Sequence, residues 1–196
     1  MPFHPLLIVG FVAHISSSAT YIWSTYKGRT QPNRVTFFMW AVAAFIATAA
    51  ALAEGAGWAA LPVFMSGFMP FVIFLTSFAN PNAYWKLGTF DYACGVLSAL
   101  ALVLWVVTSD PLVAMVFAIA ADAAAGVPTV IKAYRYPETE HFGAYAGSTL
   151  NNILIFFIVP TYTFATVAFP AYFITICSIT LFGVYRKRLI RLLRMQ

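Results

Sequence analysis

Long apolar stretches separated by short polar breaks dominate the pattern of this sequence. Unbroken apolar runs of about 20 residues are typical of transmembrane helices, whereas the strands of a β-barrel alternate between apolar and polar positions. The breaks contain Pro, Gly, Asn or charged residues, as in KGRTQPNR, NPNAYWK and YRYPETEH. The pattern predicts seven transmembrane segments at approximately residues 5–25, 35–53, 58–79, 90–108, 111–133, 142–160 and 162–185.

The composition supports an integral membrane protein. Of the 196 residues, 62% are hydrophobic and 9% are charged, whereas a soluble domain has roughly 45–50% apolar and about 25% charged residues. This excludes a soluble globule, and the high apolar and aromatic content excludes a disordered chain. The N-terminal MPFHPLLIVG has no Lys or Arg before its apolar run, so we interpret it as the start of the first span rather than a cleavable signal.

The basic residues predict the orientation in the membrane. With seven spans, all eleven fall in loops 1–2, 3–4 and 5–6 and in the C-terminal tail. The opposite side receives only Glu54 and Asp110. The positive-inside rule therefore places the N-terminus outside and the C-terminus in the cytoplasm. We interpret the tail YRKRLIRLLRMQ as a contact with anionic lipids rather than with nucleic acid.

The chain also contains an internal repeat. A displacement of 108 residues aligns segments 1–3 with segments 5–7 almost without a gap. Aligned pairs include Ala13-His14 with Ala121-Asp122, Tyr26-Lys27 with Tyr134-Arg135, Pro62 with Pro170 and Phe74 with Phe182. The odd fourth segment gives both repeats the same orientation, as in transporters with parallel repeats. We predict one all-α membrane domain, 1–196, with repeat 1 (5–80), a linker helix (88–109), repeat 2 (111–186) and a basic cytoplasmic tail (186–196).

This arrangement of three, one and three helices resembles the SWEET and PQ-loop superfamily of small-solute carriers. The segments KGRTQPNRVTFFMW and DAAAGVPTVIKAYRYPETEHFGAY are similar to a bacterial branch of it. Pro128-Thr129 stands where the family has its Pro-Gln pair, whereas the first repeat has Thr20-Tyr21. The resemblance implies alternating access, prolines that act as hinges, and a place in the bacterial inner membrane. Sugar-carrying members use Asn on the third helix of each repeat, and segments 3 and 7 contain none.

Asp122 is the main candidate for function, because it is an acidic residue deep within a predicted span. An ionised carboxylate near the bilayer centre costs about 2.5–3.5 kcal/mol even on lenient scales, so it should face a partner, water or the bundle interior. Its counterpart in the first repeat is His14. We expect the two to approach each other, either as a proton-linked or substrate-binding site or as a static pair that packs span 1 against span 5.

Polar residues in span 6 form a second candidate group. Ser148, Thr149, Asn151 and Asn152 make the middle of this span polar, and unpaired amides are costly in hydrocarbon. Each asparagine either faces a cavity or bonds a neighbouring helix. Trp40 aligns with Ser148 across the repeat, so we expect it to face the polar group across a pocket, with simple packing as the alternative.

Prolines within spans bend helices because they lack an amide hydrogen. Pro62, Pro70, Pro128 and Pro170 lie within spans and are candidate hinges by the family resemblance, and plain kinks are the alternative. The run Ser16–Thr20 favours close helix packing, with a pore-lining face as the alternative.

These observations predict a carrier of a small polar solute, either a uniporter or a proton-linked transporter. The expected cavity is built from spans 1, 2, 5 and 6, with Asp122, His14, Trp40 and the polar group of span 6 as the solute site. No pattern for a nucleophile, a nucleotide, a cofactor or a metal is present, so we do not expect an enzyme. The alternative is a receptor or adaptor subunit that does not transport. Association into homo-oligomers is compatible with both.

Overall fold

The computed structural model describes residues 5–53, 58, 61–108, 111–158, 162 and 164–193. Within these ranges the chain forms seven α-helices and no strands. The helices are α1 Pro5–Tyr26, α2 Arg34–Ala53, α3 Leu61–Thr76, α4 Thr89–Val107, α5 Pro111–Arg135, α6 Gly143–Ile155 and α7 Phe164–Leu193, and a 3-10 turn, Pro137–Thr139, lies between α5 and α6. The prediction of an all-α protein is confirmed.

Four helices match the predicted segments to within two residues, and three differ. Helices α3 and α6 are shorter than predicted, with 16 and 13 residues. Helix α7 has 30 residues and continues to Leu193, so most of the segment expected to be a separate tail extends the last helix instead. Glu54, Asp110 and Pro160 lie outside the described residues.

Three segments are long and apolar enough to cross a membrane, judged by length and composition among the described residues. They are Leu6–Tyr26, Val116–Arg135 and Val167–Arg186. Shorter apolar segments lie in α2, α3 and α4, at Arg34–Phe45, Leu61–Thr76 and Thr89–Leu104. The helices therefore suggest association with a membrane.

The helix ends follow from local sequence. Helices α1 and α5 begin at Pro5 and Pro111, since the first turn of a helix has no need of the missing amide hydrogen. Helix α1 ends in a Schellman motif, in which Gly28 has φ +70° and its amide donates to Thr25 O at 2.9 Å. The amide of Arg29 completes the motif by donating to Ser24 O at 3.0 Å.

The distribution of polarity is reversed compared with a soluble protein. Large apolar side chains face outward, and Val107 and Phe157 are 71% and 70% exposed. Many polar side chains are buried instead, including His14, Asp122 and Lys132. An apolar exterior suits hydrocarbon rather than water, and buried polar groups must then be paired within the bundle.

Contacts between helices define the arrangement of the bundle. Helix α3 contacts both α1 and α2, and α7 contacts both α5 and α6. In the described part of the chain the backbones of the consecutive pairs α1–α2 and α5–α6 do not approach closely, although the rings of Tyr21 on α1 and Phe37 on α2 contact each other with their centres 5.4 Å apart. Helix α1 packs on α6, α2 packs on α5, and α4 lies against α5 and α2.

A glycine allows the backbones of α6 and α1 to approach each other closely. A Cβ atom added at Gly147 of α6 would lie 3.1 Å from His14 Cα and 3.2 Å from His14 O on α1. These are backbone atoms, so the contact cannot be relieved by a side-chain rotation. The α1–α6 interface therefore depends on the absence of a side chain at this position.

We expect Gly147→Ala to destabilise the fold by about 1–3 kcal/mol, because the added methyl group overpacks the α1–α6 interface. The measurement is thermal unfolding of the purified protein in detergent. Gly88→Ala is the control, since its added Cβ would lie at an ordinary 3.6 Å from the nearest atom. An unfolding temperature for Gly147→Ala equal to that of Gly88→Ala would contradict this account of the interface.

Candidate functional site

A small cavity lies in the centre of the bundle, between five of the helices. It is lined by His14 and Ser18 of α1, Phe37 and Trp40 of α2, Ser66, Met69, Pro70 and Ile73 of α3, Ala144, Tyr145 and Ser148 of α6, and Phe173, Ile176 and Cys177 of α7. Its volume is about 20 Å³, which is room for about one water molecule. Two of its polar atoms, His14 Nδ1 and Ser18 Oγ, are buried without a hydrogen-bond partner.

Three residues predicted from the sequence meet at this cavity. His14, Trp40 and Ser148 all line it, on α1, α2 and α6. The structure does not place span 5 in the wall as expected, because in the described part of the chain no residue of α5 lines this cavity. Helices α3 and α7 form walls of the cavity instead. Helix α3 contacts both α1 and α2, and α7 contacts both α5 and α6.

Asp122 is buried beside the cavity rather than in its wall. Its side chain is 2% exposed, and its Oδ2 atom accepts a hydrogen bond of 2.7 Å from the Tyr172 hydroxyl on α7. Its backbone oxygen accepts a bond of 3.1 Å from Trp40 Nε1. Trp40 therefore touches both the cavity and the Asp122 backbone.

His14 and Asp122 do not form the pair expected from the repeat. The two side chains make no ion pair with each other in the described part of the chain, and their helices α1 and α5 share no contact there. Helix α1 packs on α6 and helix α5 packs on α2, so the two side chains have different neighbours. The interpretation as a static His–Asp pair is therefore wrong.

Three polar residues of span 6 lie outside the cavity wall: two of them bond to their own helix, and the third packs against α1. Thr149 Oγ1 and Asn152 Nδ2 donate to carbonyl oxygens of their own helix, those of Tyr145 at 2.9 Å and Ser148 at 2.8 Å. Asn151 packs against Gly10 of α1, where its Oδ1 atom would be 2.7 Å from a Cβ added at that glycine. Its Nδ2 atom is buried without a partner. These three residues are not part of the cavity lining.

The candidate hinge residues also occupy different positions. Pro128 and Pro170 lie inside α5 and α7. Pro62 is the second residue of α3, where proline is compatible with a straight helix. Pro70 is the proline inside α3, and it lines the cavity.

A buried polar network closes one end of the bundle next to the cavity. Lys132 Nζ on α5 lies 2.5 Å from Glu140 Oε1 in the loop before α6. The other carboxylate oxygen, Oε2, accepts hydrogen bonds from the hydroxyls of Tyr21 at 2.8 Å and Tyr145 at 2.9 Å. We call these four residues the Lys132 network. It joins α1, α5, α6 and the connecting loop.

The Lys132 network is enclosed by neighbours on every side. All four residues are at most 7% exposed. Lys132 also donates to the backbone oxygen of Gln31 and lies 5.2 Å from the ring centre of Trp85. Because the charges and the tyrosine hydroxyls satisfy one another, the network can remain in a dry environment.

His141 follows Glu140 in the chain and lies two residues before the start of α6. Its Nδ1 atom accepts the amide hydrogen of Gly143 at 3.1 Å and lies 3.5 Å from Thr20 Oγ1 on α1. Burial lowers the pKa of His141, and the nearby Glu140 carboxylate opposes this by a smaller amount. The lowered pKa favours the neutral ring, whose Nδ1 is free to accept the hydrogen bond.

The sequence did not identify the Lys132 network. Lys132 was counted as one of the cytoplasmic loop charges, and Glu140 as part of the break YRYPETEH. The available signal was a pair of acidic residues, Glu138 and Glu140, shortly after a lysine at the end of an apolar helix. The partner hydroxyls of Glu140 come from Tyr21, more than a hundred positions away in the chain, and Tyr145.

The basic C-terminus is described only at its beginning. Arg186 donates from Nε to the backbone oxygen of Tyr134 at 2.9 Å, and its guanidinium lies 4.0 Å from the ring centre of the same residue. Contact of the remaining basic side chains with anionic lipids stays a prediction.

We expect Lys132→Met to destabilise the protein by about 3–5 kcal/mol, because it leaves the buried Glu140 carboxylate without its counter-charge. The double variant Lys132→Met, Glu140→Gln should recover much of this loss, since no buried charge remains. Unfolding in detergent measures both. Lys27→Met is the control, because Lys27 is an exposed lysine at the same end of the bundle. Equal losses for Lys132→Met and Lys27→Met would contradict the network.

In comparisons with known proteins, no family model, no curated protein and no solved structure matches the chain. The site is therefore defined by its own geometry, which is a central cavity with two unpartnered polar atoms beside a buried ionic network.

Proposed function

We propose that this protein is a membrane carrier that moves a small polar solute by alternating access through the central cavity. The observation that carries the proposal is the pair of buried, unpartnered atoms, His14 Nδ1 and Ser18 Oγ, in a cavity enclosed by five helices. Leaving such atoms unpaired costs about 1–3 kcal/mol each. A site that binds a solute gives a reason to retain them.

The proposal includes seven spans arranged as two parallel three-helix repeats joined by α4, as in the SWEET-like plan. The helix contacts support this arrangement, because they correspond in pairs. The contacts α1–α3, α2–α3 and α1–α6 have counterparts in α5–α7, α6–α7 and α5–α2. In each group the third helix lies between the first two.

One pair of hydrogen bonds supports the displacement of 108 residues in atomic detail. Asn80 Nδ2, after α3, donates to the backbone oxygen of Tyr26 at the end of α1, at 2.9 Å. Arg186 Nε, near the corresponding end of α7, donates to the backbone oxygen of Tyr134 at 2.9 Å. Tyr26 and Tyr134 are 108 positions apart, so equivalent carbonyl groups each accept a side-chain hydrogen bond, from donors whose positions differ by 106.

The orientation is part of the proposal and depends on the basic residues. An outside N-terminus and a cytoplasmic C-terminus would place the Lys132 network at the cytoplasmic end of the cavity. The resemblance to the SWEET and PQ-loop superfamily suggests the bacterial inner membrane as the location, with the basic tail at its anionic inner surface.

The Lys132 network fits the role of a gate in this mechanism. Tyr145 lines the cavity and also donates to Glu140, so the network is one side chain away from the solute site. Opening toward this end requires α1, α5 and α6 to separate, and therefore requires the ion pair and both tyrosine hydrogen bonds to break. Water that enters would then replace the lost partners.

In this proposal, Pro70, Pro128 and Pro170 are the points at which the helices bend when α1, α5 and α6 separate. Each lies inside a helix that borders the cavity or packs directly on a helix that does. A proline frees one carbonyl group from the helical ladder and so makes bending easier at that point. Pro62 has no such role in the proposal, because it lies in the first turn of α3.

Asp122 is assigned to proton coupling rather than to contact with the solute. Its carboxyl is buried and is bonded to the Tyr172 hydroxyl, which is neutral and cannot balance a negative charge. A carboxyl in that environment is far less costly when protonated. Loss of the proton would favour hydration of the Asp122 carboxylate. Hydration would in turn favour separation of α5 from α2 and α7.

The alternative function is a receptor or adaptor subunit that does not transport. The specific observation in its favour is the size of the cavity, since about 20 Å³ holds about one water molecule and no larger solute. A permanently closed centre would suit a structural role, whereas a carrier must open. Whether the cavity opens is therefore the decisive measurement.

The reactivity of Cys177 tests opening without knowledge of the solute. Cys177 lines the cavity, and Cys94→Ser removes the other cysteine. We expect a membrane-impermeant methanethiosulfonate to label Cys177 slowly in vesicles, and several times faster when Tyr21→Phe or Glu140→Gln weakens the gate. Glu138→Gln, at an exposed glutamate of the same loop, is the matched control. Labelling of Cys177 only after unfolding would refute the carrier and favour the adaptor.

The pH dependence of the same labelling tests Asp122. Ionisation of Asp122 should favour the open state, so labelling in the Cys94→Ser protein should rise with pH more steeply than in the Asp122→Asn variant. That variant supplies the dependence that comes from the thiol itself. Parallel pH profiles in the two proteins would remove Asp122 from the coupling mechanism.

A further inference from the structure

Two polar atoms of the cavity lining are buried without a partner, and both belong to α1. His14 and Ser18 are four residues apart on α1, so their side chains lie one above the other on the same helix face, roughly 6 Å apart along the axis. His14 Nδ1 and Ser18 Oγ are buried and unpartnered. A serine hydroxyl can donate or accept a hydrogen bond, and Nδ1 does one or the other according to its tautomer.

Most other polar groups of the lining are already engaged. Ser66 Oγ donates to the backbone oxygen of Pro62 at 3.0 Å, and Trp40 Nε1 donates to Asp122 O at 3.1 Å. The Tyr145 hydroxyl donates to Glu140 at 2.9 Å. The lining atoms that are buried without a partner are therefore both on α1, and Ser148 of α6 adds one further hydroxyl residue to the lining.

The walls across from α1 are apolar and rich in flat rings. They consist of Phe37 and Trp40 on α2, Met69, Pro70 and Ile73 on α3, and Phe173 and Ile176 on α7. The rings of Phe37 and Trp40 contact each other at a centre-to-centre distance of 5.4 Å. Such a surface favours an apolar, planar body in the bound molecule.

The cavity offers nothing to balance a charge. None of its lining residues is acidic, lysine or arginine. Lys132 and Glu140, which adjoin the lining residue Tyr145, neutralise each other at 2.5 Å, and Asp122 lies outside the lining. A charged solute would lose its hydration without gaining a partner. A sugar would leave hydroxyl groups unpaired against Phe, Met and Ile side chains.

We propose that the cavity binds a small, uncharged, amphipathic molecule with a flat apolar body and one polar edge. The edge carries one or two hydrogen-bonding groups that pair with His14 and Ser18, and the body packs against the rings of α2 and α7. This inference rests on the proposed function, because the closed cavity must widen to admit such a molecule.

The test uses defined probes rather than an unknown solute. Benzamide, phenol and indole are uncharged, flat and polar at one edge, benzoate has nearly the shape of benzamide with a negative charge, and glucose is polyhydroxylated. In the Cys94→Ser protein, we expect at least one of the uncharged flat probes to slow the labelling of Cys177 and to raise the unfolding temperature in detergent. Benzoate and glucose should do neither.

A matched pair of serine variants connects the effect to the cavity. Ser18→Ala should weaken the protection by the effective probe about three- to tenfold, the loss of one hydrogen bond. Ser98→Ala should leave it unchanged, because Ser98 is an equally buried, unpartnered serine that lies on α4 away from the cavity. Both variants remove an unsatisfied hydroxyl, so neither should impair folding.

The outcomes separate this inference from the carrier proposal. If Cys177 is labelled but benzoate or glucose protects better than every uncharged flat probe, or none of the flat probes protects, the inference is refuted and the carrier stands. Equal weakening by Ser18→Ala and Ser98→Ala would also refute it. If Cys177 is never labelled in the folded protein, the carrier proposal itself fails.

Discussion

A charge or a polar atom inside an apolar bundle must find its partner within the protein, and the Lys132 network is where this constraint is met most completely. A lysine ammonium, a carboxylate and two phenols, contributed by α1, α5, α6 and the loop between the last two, satisfy one another in a space with almost no exposure. Removing any one member leaves another uncompensated, which is why such networks are costly to disturb. The network therefore holds together helices that belong to different halves of the chain.

The cavity differs from the network in this respect. Only a short distance along α1 from Tyr21, His14 and Ser18 remain unpaired. One part of the interior has all its polar groups paired, and the neighbouring part retains unpaired hydrogen-bonding groups. Tight backbone contact at Gly147 holds α1 against α6 at the same level, so these unpaired atoms are positioned by packing rather than by their own hydrogen bonds. This combination of a rigid support and unused polar groups is typical of binding sites.

The sequence predicted the helices well because their signal is local. Apolar runs and proline or glycine breaks define α1, α2, α4 and α5 nearly to the residue. It also identified His14, Trp40 and Ser148 as a group, since the repeat displacement of 108 residues brings Trp40 into register with Ser148. The sequence predicted the depth of Asp122 from its spacing, but not that its side chain would face Tyr172 of α7 instead of the cavity. The direction of a side chain depends on which helix packs against it. The Lys132 network was missed for a related reason: one of its bonds joins Tyr21 to Glu140, which are 119 positions apart in the chain.

Tyr145 is the one residue whose hydroxyl belongs to the network while its ring forms part of the cavity wall. Tyr145 takes part both in binding at the cavity and in the hydrogen bond to Glu140. If a molecule in the cavity strengthens or weakens this bond, the bond therefore strengthens or weakens the binding of that molecule by the same free energy. A molecule that strengthens the bond between Tyr145 and Glu140 is held more tightly when the bundle is closed. One that competes for the hydroxyl is bound more weakly by the closed bundle, in the same proportion. The direction of that coupling distinguishes a molecule that the protein retains from one that it releases.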